Sequence, residues 1–454
     1  MTKRLLIIAF LSLAASSTFA GGLLTNTNQS VHFLRNPARD ASTEIDAVYT
    51  NPAGLIFLSD GFHLALTNQS VFQTRTITST FAPFAAFNDG NATKVFKGEA
   101  SAPVVPSFQF AYKKDKYAIS ASFAVTGGGG KAVFNHGLPS FEAPISMLPV
   151  SLAAYGVDKY SVDSYMEGKQ FIFGLQLNGS YKFSEALSGA VGFRLNMVDN
   201  QYVGHLTDIM INPKHPLLNP TGGPMLANSF FTAAGMTALA AKTADKQLDC
   251  TQTGWGVTPI LSLNYHVSGL NLAAKYEFKS ALNVQNNTVV DNTGLYADGV
   301  NTPHDIPALL TVGGEYQLCK KLKVSGGYHH FFDSDAKMAN NKQQYINGGV
   351  NEYLFGTEYS INDVLMVSAG GQVTRTGATD AYQSDMSFSL NSYSIGFGGA
   401  VKITPDLRLN IAYFFTNYSD WTKASANYNG TTLAGTDVFS RTNKVFGIGV
   451  DYKF

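Results

Sequence analysis

Charge is scarce in this sequence, and long apolar runs are nearly absent. Asp, Glu, Lys and Arg make up 14% of the 454 residues, and 32 acidic residues balance 32 basic ones. Soluble domains average about 25% charged residues, so this deficit is unusual for a soluble globular protein. The zero net charge lacks the basic excess of nucleic-acid-binding domains, so nucleic acid is not an expected partner. After the first twenty residues, no apolar run is long enough for a transmembrane helix.

The first twenty residues have the features of a secretory signal peptide. Lys3 and Arg4 give a positive start, and an apolar stretch follows that ends in the small-residue cleavage site Thr18-Phe19-Ala20. The apolar stretch is too short to cross a bilayer. We therefore predict that residues 1–20 are a signal peptide, cleaved after Ala20, and that the chain is exported.

Glycine and aromatic residues are in excess, and they occur in an alternating pattern. The chain contains 43 Gly, 32 Phe and 22 Tyr. Near the end of the chain, every second residue is apolar: Phe446, Ile448, Val450, Tyr452 and Phe454. This is the period of a β-strand with one lipid-facing side and one lumenal side. An aromatic final residue resembles the insertion signal of outer-membrane barrels, so we expect the barrel assembly machinery to recognise this strand.

The same alternation recurs through residues 61–454 and predicts about fourteen strands. Six predicted connections are short turns, and they alternate with seven long segments. Short turns on one side and long loops on the other are typical of an outer-membrane barrel. A soluble β-sandwich or propeller has no reason to keep this alternation. The predicted fold class is therefore all-β, a transmembrane antiparallel β-barrel with both termini on the periplasmic side.

The two cysteines, Cys250 and Cys319, are predicted to stay unpaired. Export would place them in an oxidising compartment, where pairing is possible in principle. The predicted strands put Cys250 at an outer strand end and Cys319 in a periplasmic turn. An apolar band about 25 Å tall separates these two ends, which is far beyond disulfide reach.

Residues 21–60 do not alternate, and they precede the barrel wall. Such a segment can be a disordered tail, a periplasmic extension or a plug inside the lumen. The stretch from Asp46 to Leu55 resembles the N-terminal hatch motif of the FadL family, outer-membrane transporters of long-chain fatty acids and related hydrophobic compounds. The core of the motif is Asn51, Pro52, Ala53 and Gly54. Arg39-Asp40-Ala41-Ser42 also resembles the family's hatch. Pro52 fixes its own φ and biases Asn51 away from helix, which suits a compact plug turn.

The resemblance implies a mechanism and a set of partners. In that family the hatch blocks the lumen, extracellular loops capture the ligand, and a largely apolar internal pocket receives it. The ligand leaves sideways through a gap where the third strand kinks inward, and it enters the outer leaflet without any energy source. The implied partners are a long-chain fatty acid or another hydrophobic small molecule and outer-membrane lipid, and we expect a monomer.

The candidate wall kink lies at the outer end of the third predicted strand, at Gly127, Gly128 and Gly129. Glycine interrupts a strand or bends it sharply. The alternative is that these residues are only a flexible start to the second long loop. In the second predicted strand, Pro103 and Pro106 also interrupt the alternation.

A fatty acid carries a carboxylate, which needs a cation or hydrogen-bond donors in an apolar lumen. By alternation Arg194 and Lys275 face inward, and these two residues are the candidate carboxylate clamp. Arg408 faces inward as well. Three acidic residues also face inward: Glu277, Glu315 and Glu358. The alternative for each cation is therefore an ion pair within the polar lumen.

The third long loop carries a helical pattern that begins near Pro224. Its apolar residues are the candidate surface for ligand capture: Phe230, Phe231, Met236 and Leu239. The alternative is that these side chains only pack the loop against itself.

Nothing in the sequence indicates catalysis, a cofactor or a metal site. His329 and His330 are adjacent on a predicted strand and point to opposite faces, so they cannot bind one metal together, and we expect both at the membrane interface. The leading hypothesis is passive transport of hydrophobic molecules. A general diffusion porin and a surface adhesin or receptor are the alternatives. Fatty acids, aromatic hydrocarbons and terpenoid-like compounds all fit an apolar lumen.

Overall fold

A computed structural model describes Leu23 and residues 25–454, and the predicted signal peptide lies outside the described residues. Fourteen strands, three of them interrupted, form one closed antiparallel sheet. They are β1 (Gly61–Thr80), β2 (Thr93–Lys114), β3 (Tyr117–Phe134), β4 (Tyr160–Lys182), β5 (Leu187–Ile211), β6 (Lys246–Val267), β7 (Leu270–Glu277 and Asn283–Asp291), β8 (Asn301–Pro303 and Leu309–Cys319), β9 (Leu322–Phe331), β10 (Asn351–Ser360), β11 (Leu365–Arg375), β12 (Ser392–Lys402), β13 (Leu407–Tyr418 and Trp421–Ser425) and β14 (Gly435–Lys453). The predicted fold class and the number of strands are confirmed.

The first and last strands close the barrel. β1 pairs with β2 on one side and with β14 on the other, from His63 opposite Lys453 to Thr80 opposite Thr436. The backbone N–H of Phe62 donates to the carbonyl oxygen of Phe454 at 2.9 Å, so the final residue takes part in the closure. Closure pairs the backbone groups along this seam, as a spanning sheet requires.

The wall has the predicted period of two. Outward-facing side chains on β14 are half exposed, with 52% exposure for both Phe446 and Ile448. The intervening Gly447 faces inward, where a Cβ atom would lie 2.6 Å from Leu34 of the segment inside the lumen. A larger residue at this position would make the Leu34 side chain move, because the segment approaches the wall so closely. The exposed apolar outer face and polar lumen fit an outer-membrane β-barrel.

Residues 25–60 fold inside the lumen, and we call them the plug. The plug contains α1 (Val31–Arg35), α2 (Ala47–Thr50) and a 3-10 helix (Pro52–Phe57). Helices this short are unstable alone, so packing must hold them. The α1 helix packs against Phe414 of β13 and Val445 of β14. Nearly every plug residue before Ile56 is buried, which makes the plug part of the core of the molecule.

Connections differ between the two ends of the barrel. Six short turns lie at one end, which we call the turn end, and seven long segments lie at the other, the loop end, as predicted. The loop end carries α3 (Pro139–Ser151), α4 (Ala227–Ala233), α5 (Thr237–Lys242) and 3-10 helices at Ala82–Ala86, Ala153–Tyr155, Asp333–Asp335, Ala339–Tyr345 and Tyr428–Gly430. Within the described residues, no helix is both long and apolar enough to cross a membrane. Cys250 is buried, Cys319 is exposed beside a turn, and both are free thiols, as predicted.

The third long loop differs from its predicted form. The helical pattern predicted one stretch from Pro224, but Met225–Leu226 is a short strand and two separate helices, α4 and α5, follow. Gly235 lies between the helices with a φ of 70°, in the left-handed region that glycine favours. This conformation ends α4, so the apolar period of the sequence spans two short helices.

Candidate functional site: the plug, the wall and the upper lumen

The hatch motif docks on a row of polar wall residues at the turn end. Asn51 donates from Nδ2 to Asn264 Oδ1 of β6 at 2.6 Å, and the same amide donates to the carbonyl oxygen of Ser42 at 3.1 Å. The carbonyl oxygens of Pro52 and Ala53 each accept a serine hydroxyl at 2.7 Å, from Ser180 and Ser188 respectively. At Gly54, a Cβ atom would lie 2.4 Å from the carbonyl oxygen of Ser42, so the turn has no room for a side chain.

Buried ion pairs hold the plug to itself and to the wall. Arg39 donates from Nε and Nη2 to the two carboxylate oxygens of Asp46 at 2.7 and 2.8 Å, and from Nη1 to Glu358 of β10 at 3.1 Å. Glu44 accepts from Arg408 of β13 at 3.0 Å, which also places Arg408 inward, as predicted. Burial opposes ionisation of Asp46, but the Arg39 guanidinium outweighs it and holds the pKa of Asp46 below its usual value.

His329 connects the plug to the wall. Its Nε2 lies 2.8 Å from Asp40 Oδ1, its Nδ1 lies 2.9 Å from Glu352 Oε2, and all three side chains are buried. The expectation that both histidines lie at the membrane interface is therefore wrong for His329, which faces the lumen. His330 points to the opposite face and packs edge-on against Phe332. The wall pattern alone does not reveal the plug carboxylate that His329 contacts.

Arg194 and Lys275, the predicted carboxylate clamp, converge on one acidic side chain. Arg194 donates to Glu277 from Nη1 at 2.7 Å and from Nη2 at 3.0 Å, and Lys275 Nζ donates to the same carboxylate at 2.6 Å. Lys275 also donates to the carbonyl oxygen of Tyr49 in the plug at 2.9 Å. Both cations lie over the ring of Tyr49. Arg194 and Lys275 thus form the ion pairs within the lumen that the sequence analysis gave as the alternative. Their role as a clamp for a ligand carboxylate stays a prediction.

The ladder between β2 and β3 is interrupted at mid-height. Residues 102–107 of β2 and 124–130 of β3 lie outside the register that joins the two strands on either side. Pro103 and Pro106 contribute to this interruption because neither has a backbone N–H to donate. We call this region the wall break.

The candidate kink residues lie in the wall break. On its other side β3 still pairs with β4, but the register shifts between Val125 and Gly127 and again between Gly128 and Gly130. Gly128 has a φ of 66° and Gly129 a φ of 124°, which L side chains rarely adopt. The glycine run is thus part of the wall and not the start of the second long loop, while its use as an exit stays a prediction.

The first described residues of the plug lie against the inner side of the wall break. Asn26 donates from its backbone N–H to the carbonyl oxygen of Thr126 and from Nδ2 to that of Gly128, both at 2.8 Å. Gln29 donates from Nε2 to the carbonyl oxygen of Val125 at 3.2 Å. Gln69 of β1 donates to the backbone of Asn28. These contacts of Asn26, Asn28 and Gln29 join neutral groups, whereas the turn-end part of the plug is held by ion pairs.

The candidate capture residues of the third loop divide into two groups. Phe230 and Phe231 are fully buried in the apolar cluster beneath the loops, so for these two residues the alternative of loop packing applies. Leu239 is 37% exposed and Met236 is half-buried at the edge of the same cluster. Beside this loop, an apolar pocket opens at the loop end, lined mainly by Phe141, Met166, Leu206, Leu248 and Leu295.

Two arginines that the sequence analysis did not single out face each other in the upper lumen. Arg75 of β1 lies directly opposite Arg441 of β14, and both side chains are buried. Arg75 stacks over the ring of Phe388 at 4.4 Å, and Arg441 over the ring of Tyr418 at 5.1 Å. The alternation of β1 and β14 already indicates that each faces inward, but only the closure of the barrel brings them together.

Solved structures share this fold, although no protein-family model and no curated protein matches the sequence. A crystal structure of a Pseudomonas aeruginosa FadL homologue is 13% identical, with a TM-score of 0.66 over 96% of this chain and 100% of that one. The P. putida toluene transporter TodX is 17% identical, with a TM-score of 0.55 over 90% and 94%. The Ralstonia pickettii toluene transporter TbuX is 14% identical, with a TM-score of 0.53 over the same shares. At these identities the likeness concerns the fold.

Proposed function

We propose that this chain is a passive outer-membrane transporter of hydrophobic compounds, and that long-chain fatty acids are its ligands. The observation that carries this proposal is the wall break, with the first plug residues against its inner side. The plug fills the straight path through the lumen, so a ligand in the upper lumen leaves sideways through the wall break once the first plug residues move away from its inner side. An apolar chain that moves directly from lumen to bilayer stays out of water, so this step needs no energy source.

The loop end supports capture of an apolar ligand from outside. Leu239 is exposed and Met236 partly so, and the apolar pocket that includes Phe141 and Leu248 lies at the same end. The shared fold with a FadL homologue and with toluene transporters also supports a hydrophobic ligand.

The plug argues against a general diffusion porin. A barrel of this strand number is wide enough for a water-filled channel only when nothing occupies the lumen. Here residues 25–60 occupy it and are joined to the wall through ion pairs such as Arg39 with Glu358. A surface adhesin or receptor has no use for an interrupted ladder in the wall, so the wall break favours transport over that alternative.

A disulfide across the wall break tests lateral release. A Cβ atom on Gly130 would lie 3.9 Å from the Cβ of Ala102, within the separation of about 3.5–4.5 Å that disulfides span. The double variant A102C/G130C, in a C319S background, joins β2 and β3 at the loop-end margin of the wall break. We expect uptake of labelled palmitate by cells to fall to the level of cells without the protein after oxidation, and to recover with reductant.

A matched control is T357C/A369C, which joins directly opposed residues of β10 and β11 away from the wall break. Its oxidation should leave uptake unchanged. If oxidised A102C/G130C, with its disulfide verified by mass spectrometry, takes up palmitate at the reduced rate, release through the wall break is wrong.

A further inference from the structure

A small pocket lies at the wall break, between the first plug residues and strands β1, β2 and β3. It has room for about one water-sized group. The pocket is lined by uncharged polar residues and by apolar ones: Asn26, Asn28, Gln29, Gln69, Ser107, Val71, Val105, Pro106, Ala124 and Val125. The surroundings of the wall break are therefore neutral, in contrast to the ion pairs at the turn end.

Two plug residues that line this pocket have free amide oxygens. Asn26 and Gln29 are 3% and 4% exposed, and their side-chain nitrogens donate to the carbonyl oxygens of Gly128 and Val125. These bonds fix the orientation of both amides, because an oxygen in place of the nitrogen would face another acceptor. Asn26 Oδ1 and Gln29 Oε1 are buried without a hydrogen-bond partner among the described residues. A buried oxygen of this kind is costly, so both atoms indicate a ligand group that donates a hydrogen bond.

The outer face of the wall break carries polar groups as well. Asn68 lies opposite Ile448 of β14, which is 52% exposed, so both side chains point outward. Asn68 Nδ2 and Ser70 Oγ donate to the carbonyl oxygen of Pro103 at 3.5 and 2.7 Å. Pro103 lies outside the register of β2 with both of its neighbouring strands, so these side chains replace backbone donors. Asn68 Oδ1 is buried and has no hydrogen-bond partner among the described residues.

The free oxygens on the two faces of the wall break accept hydrogen bonds and cannot donate them. A carboxylate also only accepts, and moving an ion out of water without a countercharge is costly. A hydroxyl group or a protonated carboxyl group carries an O–H that an amide oxygen can accept. A hydrocarbon has no donor to offer. The chemistry of the wall break therefore fits a neutral ligand head that carries an O–H.

We infer that Asn26 and Gln29 on the inner face and Asn68 on the outer face form a hydrogen-bond-accepting site that selects the ligand's head group during release. The head groups that it accepts are the hydroxyl group and the protonated carboxyl group. A fatty acid takes up one proton from water before its head enters the wall break, and it crosses the wall as the neutral acid. The O–H bonds first to the inner oxygens and then to the outer one.

This selection rests on the proposed release through the wall break and narrows the class of ligands that is released there. Long-chain alcohols and protonated long-chain acids have the required O–H. A chain with a permanently ionised head lacks it and would also have to leave water as an ion, so the site rejects it. Release then depends on the head group as well as on the apolar chain.

A ligand series on the unmodified protein tests the selection without any substitution. Labelled hexadecanol, palmitate and hexadecanesulfonate share a long chain, and the sulfonate head stays ionised. The measurement is uptake by cells with the protein minus uptake by cells without it. We expect hexadecanol and palmitate to enter at least about tenfold faster than the sulfonate. Equal uptake of all three overturns the selection while leaving hydrophobic transport intact, and protein-dependent uptake of none contradicts the proposed function itself.

The variant Q29K tests whether the selection occurs at the wall break. The lysine can still donate to the carbonyl oxygen of Val125, but it replaces the accepting oxygen by a positive charge. We expect uptake of hexadecanesulfonate to rise at least about fivefold. Gln252 is buried on β6, away from the wall break, so Q252K is the control for added charge and should still exclude the sulfonate. Heat-modifiable migration on gels checks folding, and a folded Q29K protein that also excludes the sulfonate overturns the assignment.

The variant N68L tests the outer oxygen and leaves the plug unchanged. Leucine suits an outward-facing position, and Ser70 still donates to Pro103, so the barrel should fold. We expect uptake of hexadecanol to fall about threefold to tenfold, the effect of one lost neutral hydrogen bond. Thr76 points outward on the same strand, opposite Lys97 and beyond the wall break, so T76L is the matched control and should keep the rate. An N68L protein that takes up hexadecanol at the rate of T76L overturns the role of Asn68.

Discussion

Arginines in the turn-end half of the lumen bond carboxylates, whereas two arginines in the loop-end half lie directly opposite each other. Arg39 bonds Asp46 and Glu358, and Arg194 bonds Glu277. Arg75 instead lies opposite Arg441. A charge network satisfied within the protein fixes a structure. The ion pairs of the turn-end half therefore hold the plug in place.

Removing Arg39 should break the turn-end network and have the largest effect. R39A leaves Asp46 buried without the two hydrogen bonds that the guanidinium donates, and removing one partner of a buried ion pair costs about 3–5 kcal/mol. We expect the plug to loosen and the single-channel conductance in planar bilayers to rise well above that of the intact protein. The exposed Arg375 supplies the control, R375A, which should leave conductance unchanged. A large conductance already present in the intact protein would instead support the porin alternative.

Exchanging one arginine from each half for methionine sharpens the comparison. R194M leaves Glu277 with Lys275 as its remaining buried ion-pair partner, so we expect a loss of about 3 kcal/mol in the free energy of unfolding. R75M removes one of two opposed like charges, so it should cost clearly less than R194M. Urea unfolding of both variants in liposomes, followed by tryptophan fluorescence, measures the difference. Equal losses would mean that the two arginines do the same structural work.

Much of the wall could be predicted from sequence because side-chain direction in a strand follows a local period of two. That period placed Arg194, Lys275 and Glu277 correctly inside the lumen. The period of two did not predict which residues these side chains contact, because those contacts depend on the register between strands and on the position of the plug. Arg75 and Arg441 are 366 positions apart and become neighbours only when β14 closes on β1.

The wall break shows the same limit at shorter range. The sequence indicated one irregularity at the glycines of β3 and another at Pro103 and Pro106 of β2, but only the pairing of the two strands brings them together in one break. The helical pattern of the third loop predicted one continuous helix, and this prediction was wrong at Gly235. The left-handed backbone of this residue ends the helix, although the apolar period continues on both sides.

Lys342 provides the smallest expected effect and tests whether the loop-end charges act on the ligand. Burial, together with Lys423 and Arg75, lowers the pKa of Lys342 to about 7. Asp385 is the facing carboxylate, and burial raises its pKa. Lys342 therefore gains its charge as the pH falls from 8 to 6, so palmitate should bind up to about tenfold more tightly at pH 6. Hexadecanol should show no such trend.

The variant K342Q tests whether Lys342 causes this pH dependence of palmitate binding. It should bind palmitate with nearly the same affinity at pH 6 and pH 8, because the group that changes its charge over this interval is gone. Any trend that remains in K342Q belongs to Asp385 or to the ligand's own carboxyl group. If the variant keeps the whole dependence, Lys342 does not act on the bound head.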